Sequence, residues 1–247
     1  MNKKIGFITF LLIGMLTVQA QADYKMYLQI LLEPKLDQIS QFEENLAEHN
    51  KKFHSEGFRE VVVYSISSGS NAGKYAWVMG PLTFTDLDGH ELNKAHDVDW
   101  NNNVLALCSE VSDFEWWKFQ DELSYTPEGS QTGKEVFTVY DIKKGEGYRF
   151  KEVVKKAVEV YKAKEYPDYF RVYFAEFASD SNRDVALSSG FKTWTSLDEK
   201  STFKKDFEEV HGAGSWDPFL KEYQASFNSY EDELSLLMPH LSGSVQE

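Results

Sequence analysis

The segment Thr83-Phe84-Thr85-Asp86-Leu87-Asp88 returns 110 positions later as Thr193-Trp194-Thr195-Ser196-Leu197-Asp198. A second pair follows in the same order, because Glu122-Leu123-Ser124 is matched 118 positions later by His240-Leu241-Ser242. Weaker matches lie between them, Phe58-Arg59 with Phe170-Arg171 and Ser70-Asn71 with Ser181-Asn182. A period near 110 residues is too long for a solenoid repeat and has the size of a small domain. The sequence therefore predicts a tandem duplication of a whole fold.

The first copy can be divided into strands and helices by its apolar spacing. A strand is predicted over Tyr24–Leu32, and Pro34 opens a helix with an apolar stripe of Leu36, Ile39, Phe42, Leu46 and Phe53. The segments Arg59–Ser67 and Lys74–Gly80 flank a turn rich in Gly and Ser, and they predict a hairpin. A partly helical stretch to about Ser109 and a closing strand over Asp113–Phe119 complete the copy.

The second copy repeats this order. It has a strand at Glu135–Ile142, a helix from Tyr148 to Glu165, a hairpin of Tyr169–Ala178 with Asp184–Phe191, a helical region from Leu197 to about Ser229, and a last strand at Leu234–Met238. The order βαββαβ occurs twice, which predicts an α+β chain of two ferredoxin-like repeats. Such a sheet leaves one face bare, so two copies can cover each other. We predict repeats over 23–128 and 135–247, joined by a linker at 129–134.

Residues 1–22 have the three parts of a secretory signal peptide. Asn2-Lys3-Lys4 is basic, Ile5 to Val18 is an apolar run of 14 residues, and Ala20-Gln21-Ala22 is a small-residue cleavage site. No later segment reaches the roughly 18 apolar residues of a membrane span. We therefore predict an exported protein, periplasmic or extracellular, without a membrane span. Cys108 is the single cysteine, so no internal disulfide is expected.

Acidic residues outnumber basic ones in this chain. The whole chain has 26 Lys and Arg against 40 Asp and Glu, a formal charge of −14. Loss of residues 1–22 removes Lys3 and Lys4 and no acid, which leaves 24 basic residues and a charge of −16. Nucleic acid and anionic membranes require clustered positive charge, so neither is an expected partner. Aromatic residues make up 15% of the chain, which favours a large core or an aromatic-lined cavity.

In its element order and duplication the chain resembles the dimeric α/β-barrel superfamily, which includes proteins like the antibiotic-biosynthesis monooxygenases, in a single-chain form. The resemblance covers nearly all of the chain after residue 22. It implies a barrel within one chain, with a ligand inside it or between the sheet and the helices of one half. Members include monooxygenases of polyketide-like aromatics, haem-degrading and haem-dependent enzymes, and stress-response proteins, and the fold does not choose among them. Because the two halves are joined covalently, we expect a monomer with an internal pseudo-dimer.

The resemblance also suggests a haem site. Haem-degrading members carry a polar residue on the first strand, a tryptophan on the third strand and a histidine on the following helix. In this sequence Gln29, Trp77 and either His90 or His96 are the nearest positions. Haem is therefore a candidate cofactor. The alternative is that Trp77 packs in the core with Tyr75 and Met79, which share its face by the period-two rule.

Histidines supply the other candidate chemistry. The segment from His90 to His96 places two histidines six residues apart, whereas a zinc-protease helix needs a spacing of four, so no zinc-protease site is predicted. His96 with Asp97 and Asp99 can form part of a looser site or a solvated polar helix end, and the prediction is that the chain holds no metal. His49 falls on the apolar stripe of the first helix and should face the sheet, as a core residue or a ligand. The repeat aligns it with Tyr161, an amphipathic side chain in the same position. His54, five residues on, is expected to be exposed.

Glu176 lies in an otherwise apolar or aromatic predicted strand, aligned by the repeat with Tyr64. A carboxylate on an inner face has a raised pKa and can act as a general base, whereas one on a solvated edge cannot. We therefore name His49, Trp77, His96 and Glu176 as candidate catalytic residues. Tyr64, Trp77 and Tyr161 are the candidate ligand-binding residues.

Two functions follow from these residues. The first is a non-catalytic exported protein that binds a small apolar or aromatic ligand, or a protein partner, in its duplicated barrel. The alternative is a monooxygenase-like or haem-handling enzyme, which requires at least two of the candidate catalytic side chains to meet at one cavity.

Overall fold

The computed structural model describes residues 23–88, 93–130, 132–179 and 181–244. The predicted signal peptide, residues 1–22, lies outside the described residues, and export stays a prediction. His90, one of the two histidines that the resemblance suggested, lies outside them as well. No helix within these described ranges is long and apolar enough to cross a membrane.

The described residues form nine strands and six α-helices. The strands are β1 Met26–Pro34, β2 Val61–Ile66, β3 Tyr75–Leu82, β4 Cys108–Val111, β5 Glu115–Phe119, β6 Lys134–Ile142, β7 Phe170–Ala175, β8 Val185–Gly190 and β9 Phe227–Leu237. The helices are α1 Ile39–Phe53, α2 Phe84–Leu87, α3 Lys94–Asp99, α4 Gly147–Lys164, α5 Phe203–His211 and α6 Trp216–Ala225. The predicted linker ends where β6 begins, and its role as a domain boundary stays a prediction.

The strands close into an eight-stranded antiparallel barrel made of two ferredoxin-like sheets. The first half has the order β5-β1-β3-β2 and the second half the order β9-β6-β8-β7. The halves are joined where β2 pairs with β9 and where β5 pairs with β7. The short strand β4 is the ninth, and it pairs with the end of β1 at Leu32, Glu33 and Pro34. The predicted α+β fold and duplicated barrel are confirmed.

The second repeated segment marks how each half is tied to the other. Ser124 Oγ accepts a hydrogen bond from the Val172 amide of β7 at 3.0 Å, and Ser242 Oγ accepts one from the Val63 amide of β2 at 3.1 Å. Each serine follows a 3-10 turn at the end of its own half and caps a strand of the other half. The repeat Glu122-Leu123-Ser124 and His240-Leu241-Ser242 is therefore a structural device used twice.

The barrel wall separates two packed regions. On its outer side, Trp77 and Met79 pack with Phe42 and Leu46 of α1 in one core cluster. In the second half, α4 packs on the sheet through residues such as Val154 and Val158. The helices α5 and α6 pack on the side of α4 that faces away from the sheet. On the inner side, alternate residues of the strands face the barrel axis, as the period of two requires.

Two features of the second half differ from the sequence prediction. The helical region predicted from Leu197 to about Ser229 is two helices, α5 and α6, and the last strand begins at Phe227 instead of Leu234. The first part of this strand, from Asn228 to Asp232, has no apolar alternation because its side chains are largely exposed. Its pairing with β6 therefore could not be predicted from the sequence pattern. The match of Phe58-Arg59 with Phe170-Arg171 is also three residues out of register. The cap pairs Val63 with Val172, so the counterpart of Tyr64 is Tyr173, not Glu176.

Candidate functional site

A cavity of about 640 Å³ lies inside the barrel. Its wall includes several aromatic side chains, namely Tyr27, Tyr64, Trp117, Phe119, Phe137, Tyr169 and Tyr173. The volume falls in the range of small-molecule sites, which are about 300–1,000 Å³ and mostly apolar with a few placed polar groups. Here the polar groups come from both halves, among them Lys25, Gln29 and Glu60 from the first and Glu135, Arg171 and Glu233 from the second.

Glu135 is the central acidic group of the cavity wall. Its Oε2 accepts a hydrogen bond from Tyr169 Oη at 2.8 Å and another from Ser188 Oγ at 2.6 Å. No hydrogen bond to its other oxygen, Oε1, occurs within the described part of the chain. Burial raises the pKa of Glu135, although the bonds from Ser188 and Tyr169 and the positive charge of Arg171 act against that rise. The carboxyl group is therefore held in place, and its pKa is raised above that of an exposed glutamate.

Arg171 and three tyrosines complete the polar part of the wall. The Arg171 guanidinium lies over the Tyr169 ring, with its Cζ 4.0 Å from the ring centroid. Burial raises the pKa of Tyr64 well above its usual value, and the nearby charge of Glu135 adds to the effect. Burial also raises the pKa of Tyr173 and Tyr27, against the charge of Arg171. These phenols stay neutral and can donate hydrogen bonds to a ligand.

Gly190 gives Tyr169 its position beside Glu135. It pairs with Glu135 across the β6–β8 ladder. A Cβ atom at Gly190 would lie 2.4 Å from the ring of Tyr169, closer than such contacts occur in proteins. Only glycine leaves room for the ring, so the hydrogen bond from Tyr169 to Glu135 depends on it.

A buried ion-pair network also faces the interior. Arg183 Nε lies 2.6 Å from Glu115 Oε1, and its Nη1 lies 2.9 Å from Glu233 Oε1. Asn71 and Trp117 donate further hydrogen bonds, to Glu233 and Glu115 respectively. One guanidinium thus bridges two carboxylates, and Arg183 Nη2 has no hydrogen-bond partner among the described residues. The network joins β5, β9 and the segment before β8.

On the outer side of the wall, three histidines converge between α1 and the sheet. His49 comes from α1, His54 follows its last residue, and His96 belongs to α3. One ring nitrogen of each lies within 4.8 Å of the others. His54 is 3% exposed, contrary to the exposure expected from sequence, because the chain turns there and buries the ring against Trp77. Burial lowers the pKa of His49, and it lowers the pKa of His54 to about 3.

The predicted site residues are distributed over both sides of the wall. His49, His96 and Trp77 meet at the histidine cluster, where the ring centroids of His49 and His96 are 5.0 Å apart. Tyr64 lines the barrel cavity. Tyr161 packs outside the barrel on Phe170 at 4.9 Å. Glu176 is half-buried just after the end of β7, with its Oε2 3.5 Å from Lys118 Nζ, and it does not line the barrel cavity.

The residues that the resemblance assigned to haem do not come together. Gln29 lines the barrel cavity, whereas Trp77 faces α1 on the other side of the wall. The layer between α1 and the sheet is filled by Phe42 and Leu46, both fully buried. Gln29 therefore lies on the opposite side of the wall from Trp77 and His96, and these residues do not fit one haem site.

Glu135 and Arg171 were not among the residues chosen from sequence. The signal was present, since period-two alternation places Glu135 with Phe137 and Val139 on one face of β6, and Arg171 with Tyr169 and Tyr173 on one face along β7. The alternation alone does not show whether these faces point into the barrel or away from it. The closed barrel shows this, because both faces point to the same cavity.

Comparison with solved structures supports this architecture. The chain is similar to a proposed monooxygenase from Fusobacterium nucleatum (TM-score 0.55, 13% identity, covering 87% of this chain and 94% of that one). It is also similar to an anthrone oxidase-like protein (TM-score 0.52, 10% identity, 88% and 92%) and to a variant of chlorite dismutase from Candidatus Nitrospira defluvii (TM-score 0.53, 10% identity, 89% and 93%). No protein-family model matches the chain, and no curated protein matches its sequence. Together with the closed eight-stranded barrel, these likenesses show that the chain has the dimeric α/β-barrel fold, with both repeats in one polypeptide.

Proposed function

We propose that the barrel cavity binds a small aromatic molecule with an acidic O–H or C–H bond, and that Glu135 removes its proton. The observation that carries the proposal is the Glu135 carboxylate, which is buried in an aromatic cavity with one oxygen held by Tyr169 and Ser188. A general base must be oriented and have a pKa raised towards the working pH. Glu135 meets both conditions. Export of this protein, in line with its predicted signal peptide, is part of the same proposal.

Arg171 and the neutral tyrosines can stabilise the anion that this proton transfer forms. When the proton moves to Glu135, the electron pair of the broken bond stays on the aromatic molecule as a phenolate or enolate. Arg171 supplies a positive charge and Tyr64 and Tyr173 supply hydrogen-bond donors to such an anion. The aromatic wall provides stacking surfaces for its rings.

An electron-rich anion of this kind is the form in which aromatic molecules react with dioxygen. In the class of reaction we propose, dioxygen is the oxidant, a C–O bond forms, and the resulting peroxide takes back the proton held by Glu135. The structural likeness to an anthrone oxidase-like protein and a proposed monooxygenase supports this choice over simple binding.

Anthrone is a suitable probe, because its acidic CH2 group gives a coloured anion. We expect the wild-type chain to bind anthrone and to form the anion, and Glu135→Gln to bind it within about 3-fold of wild type but to form the anion at least 100-fold more slowly. The matched control is Glu152→Gln, at an exposed position of α4. Stopped-flow absorbance measures the rate, and an oxygen electrode measures dioxygen uptake.

A variant that fills the cavity separates binding inside the barrel from binding elsewhere. Val78 lines the cavity on β3, so Val78→Trp should abolish anthrone binding, whereas Val111→Trp on the exposed face of β4 should not. Equal rates for wild type and Glu135→Gln, or binding that survives Val78→Trp, would contradict the proposal.

A further inference from the structure

We propose that His49, His54 and His96 form a binding site for one divalent metal ion of the late first row, such as Zn²⁺. The site lies between α1 and the sheet, on the opposite side of the barrel wall from Glu135. Trp77 separates the two regions, since it touches the histidine cluster while its neighbours Ala76 and Val78 line the barrel cavity. The inference is therefore independent of the proposed function.

The hydrogen bonds of the three rings leave one nitrogen of each without a proton. His49 Nδ1 lies 2.7 Å from Asp99 Oδ2, His54 Nδ1 lies 2.9 Å from the Arg59 carbonyl, and His96 Nδ1 lies 3.0 Å from Asp97 Oδ1. Each partner is an acceptor, so each Nδ1 carries the ring proton. Each Nε2 then carries a lone pair.

The placement of these lone pairs is unfavourable unless something lies between them. His54 Nε2 and His96 Nε2 are 3.1 Å apart, and a hydrogen bond between them requires one ring to take a second proton and a positive charge. His49 Nε2 is fully buried and has no hydrogen-bond partner among the described residues. A buried nitrogen without a partner is unfavourable, and a metal ion would remove this cost by binding it.

The spacing suits a tetrahedral ion. With Zn–N bonds of about 2.0–2.1 Å, two nitrogens on one ion lie about 3.3 Å apart. The separation of His54 Nε2 from His96 Nε2 is already of this size, and all three ligand nitrogens fall within 4.8 Å. A small inward movement of the third ring completes the set.

The surroundings have the composition of a metal site's outer shell. Asp99 and Asp97 form carboxylate–histidine pairs, which orient the ring and increase its basicity. Their two negative charges also balance a dication bound by three neutral imidazoles. The rings of Phe53, Trp77 and Trp100 lie about 5 Å from the imidazoles and shield the site from water. Trp77 is itself fixed, because its Nε1 donates to Asn50 Oδ1 at 2.9 Å.

The ligand chemistry selects the class of metal. Three imidazoles favour Zn²⁺, Co²⁺, Ni²⁺ or Cu²⁺ over Mg²⁺ and Ca²⁺, which prefer oxygen ligands. Three protein ligands leave the fourth tetrahedral position for water or a small anion, as in catalytic zinc centres. The linear spacing of the histidines does not indicate this site, because His49 and His54 lie at the end of α1 and His96 belongs to α3, which is distant in sequence.

Co²⁺ titration of the EDTA-treated chain from residue 23 onward tests the site. We expect one Co²⁺ per chain, with the intense visible absorption of four-coordinate Co²⁺, and displacement by one equivalent of Zn²⁺. His54→Gln and His96→Gln should each weaken binding at least 100-fold, and Asp99→Asn about 10-fold to 100-fold. His240→Gln, at an exposed histidine outside the cluster, is the matched control and should bind like wild type.

A second measurement needs no ligand variant and so does not depend on how those variants fold. Co²⁺ should quench the fluorescence of Trp77 and Trp100 in the wild-type chain, with saturation at one equivalent. Trp100→Phe should reduce the quenched fraction. The proposal is overturned if Co²⁺ does not bind, if its spectrum is that of a six-coordinate ion, or if correctly folded His54→Gln and His96→Gln bind as tightly as His240→Gln.

Discussion

Glu135 shows at the residue scale how a buried carboxyl group affects stability. Its folded pKa is raised by burial, above the value of about 4.3 of an unfolded glutamate. Between these two values the folded state binds more protons than the unfolded state, so the contribution of Glu135 to stability is complete below about pH 4.3 and is lost as the pH rises through the folded pKa. We therefore expect the free energy of unfolding of wild type, relative to Glu135→Gln, to fall as the pH rises above about 4.3 in urea titrations. Glu152→Gln should show no such trend, and a difference that grows in favour of wild type with rising pH would be evidence against a raised pKa.

At the scale of single elements, the two serine caps make a matched pair. Ser124 and Ser242 each accept the amide of a strand in the other half, at Val172 and Val63. Replacement by alanine leaves a buried N–H group without a partner, so we expect Ser124→Ala and Ser242→Ala to lower the free energy of unfolding by about 1–3 kcal/mol each. Ser179→Ala, at an exposed position, should change it by less than about 0.5 kcal/mol. Chemical denaturation checks all three variants, and a large loss in only one of the two caps would show that the halves are not tied in the same way.

The whole molecule should unfold as one unit, because each half contributes a strand to the closure of the other. The pairings β2–β9 and β5–β7 join the halves along the barrel wall. We expect a single transition, coincident by far-UV circular dichroism and by tryptophan fluorescence, and a monomer by light scattering. Two separated transitions would contradict a barrel that depends on both halves.

The element order could be predicted from the sequence, whereas the strand register and the sites could not. Local repeats such as Thr83 to Asp88 and Thr193 to Asp198 carry the element order, so the duplicated α+β plan follows from sequence alone. The register of Tyr64 with Tyr173 does not, because the nearest local match, Phe58-Arg59 with Phe170-Arg171, is shifted by three residues. The sites depend on closure of the barrel and on distant segments. Glu135 gains its role only when its strand face turns inward, and His49, His54 and His96 meet only in the folded chain.

A crystal structure of the chain from residue 23 onward, with an aromatic acid such as 1-hydroxy-2-naphthoate bound, tests whether the barrel cavity is the ligand site. We expect the ligand inside the barrel, with its rings against Trp117 or Tyr173 and a polar group within hydrogen-bond distance of Glu135 or Arg171. A ligand bound outside the barrel, or a barrel that stays empty at saturating ligand, would contradict the proposed site.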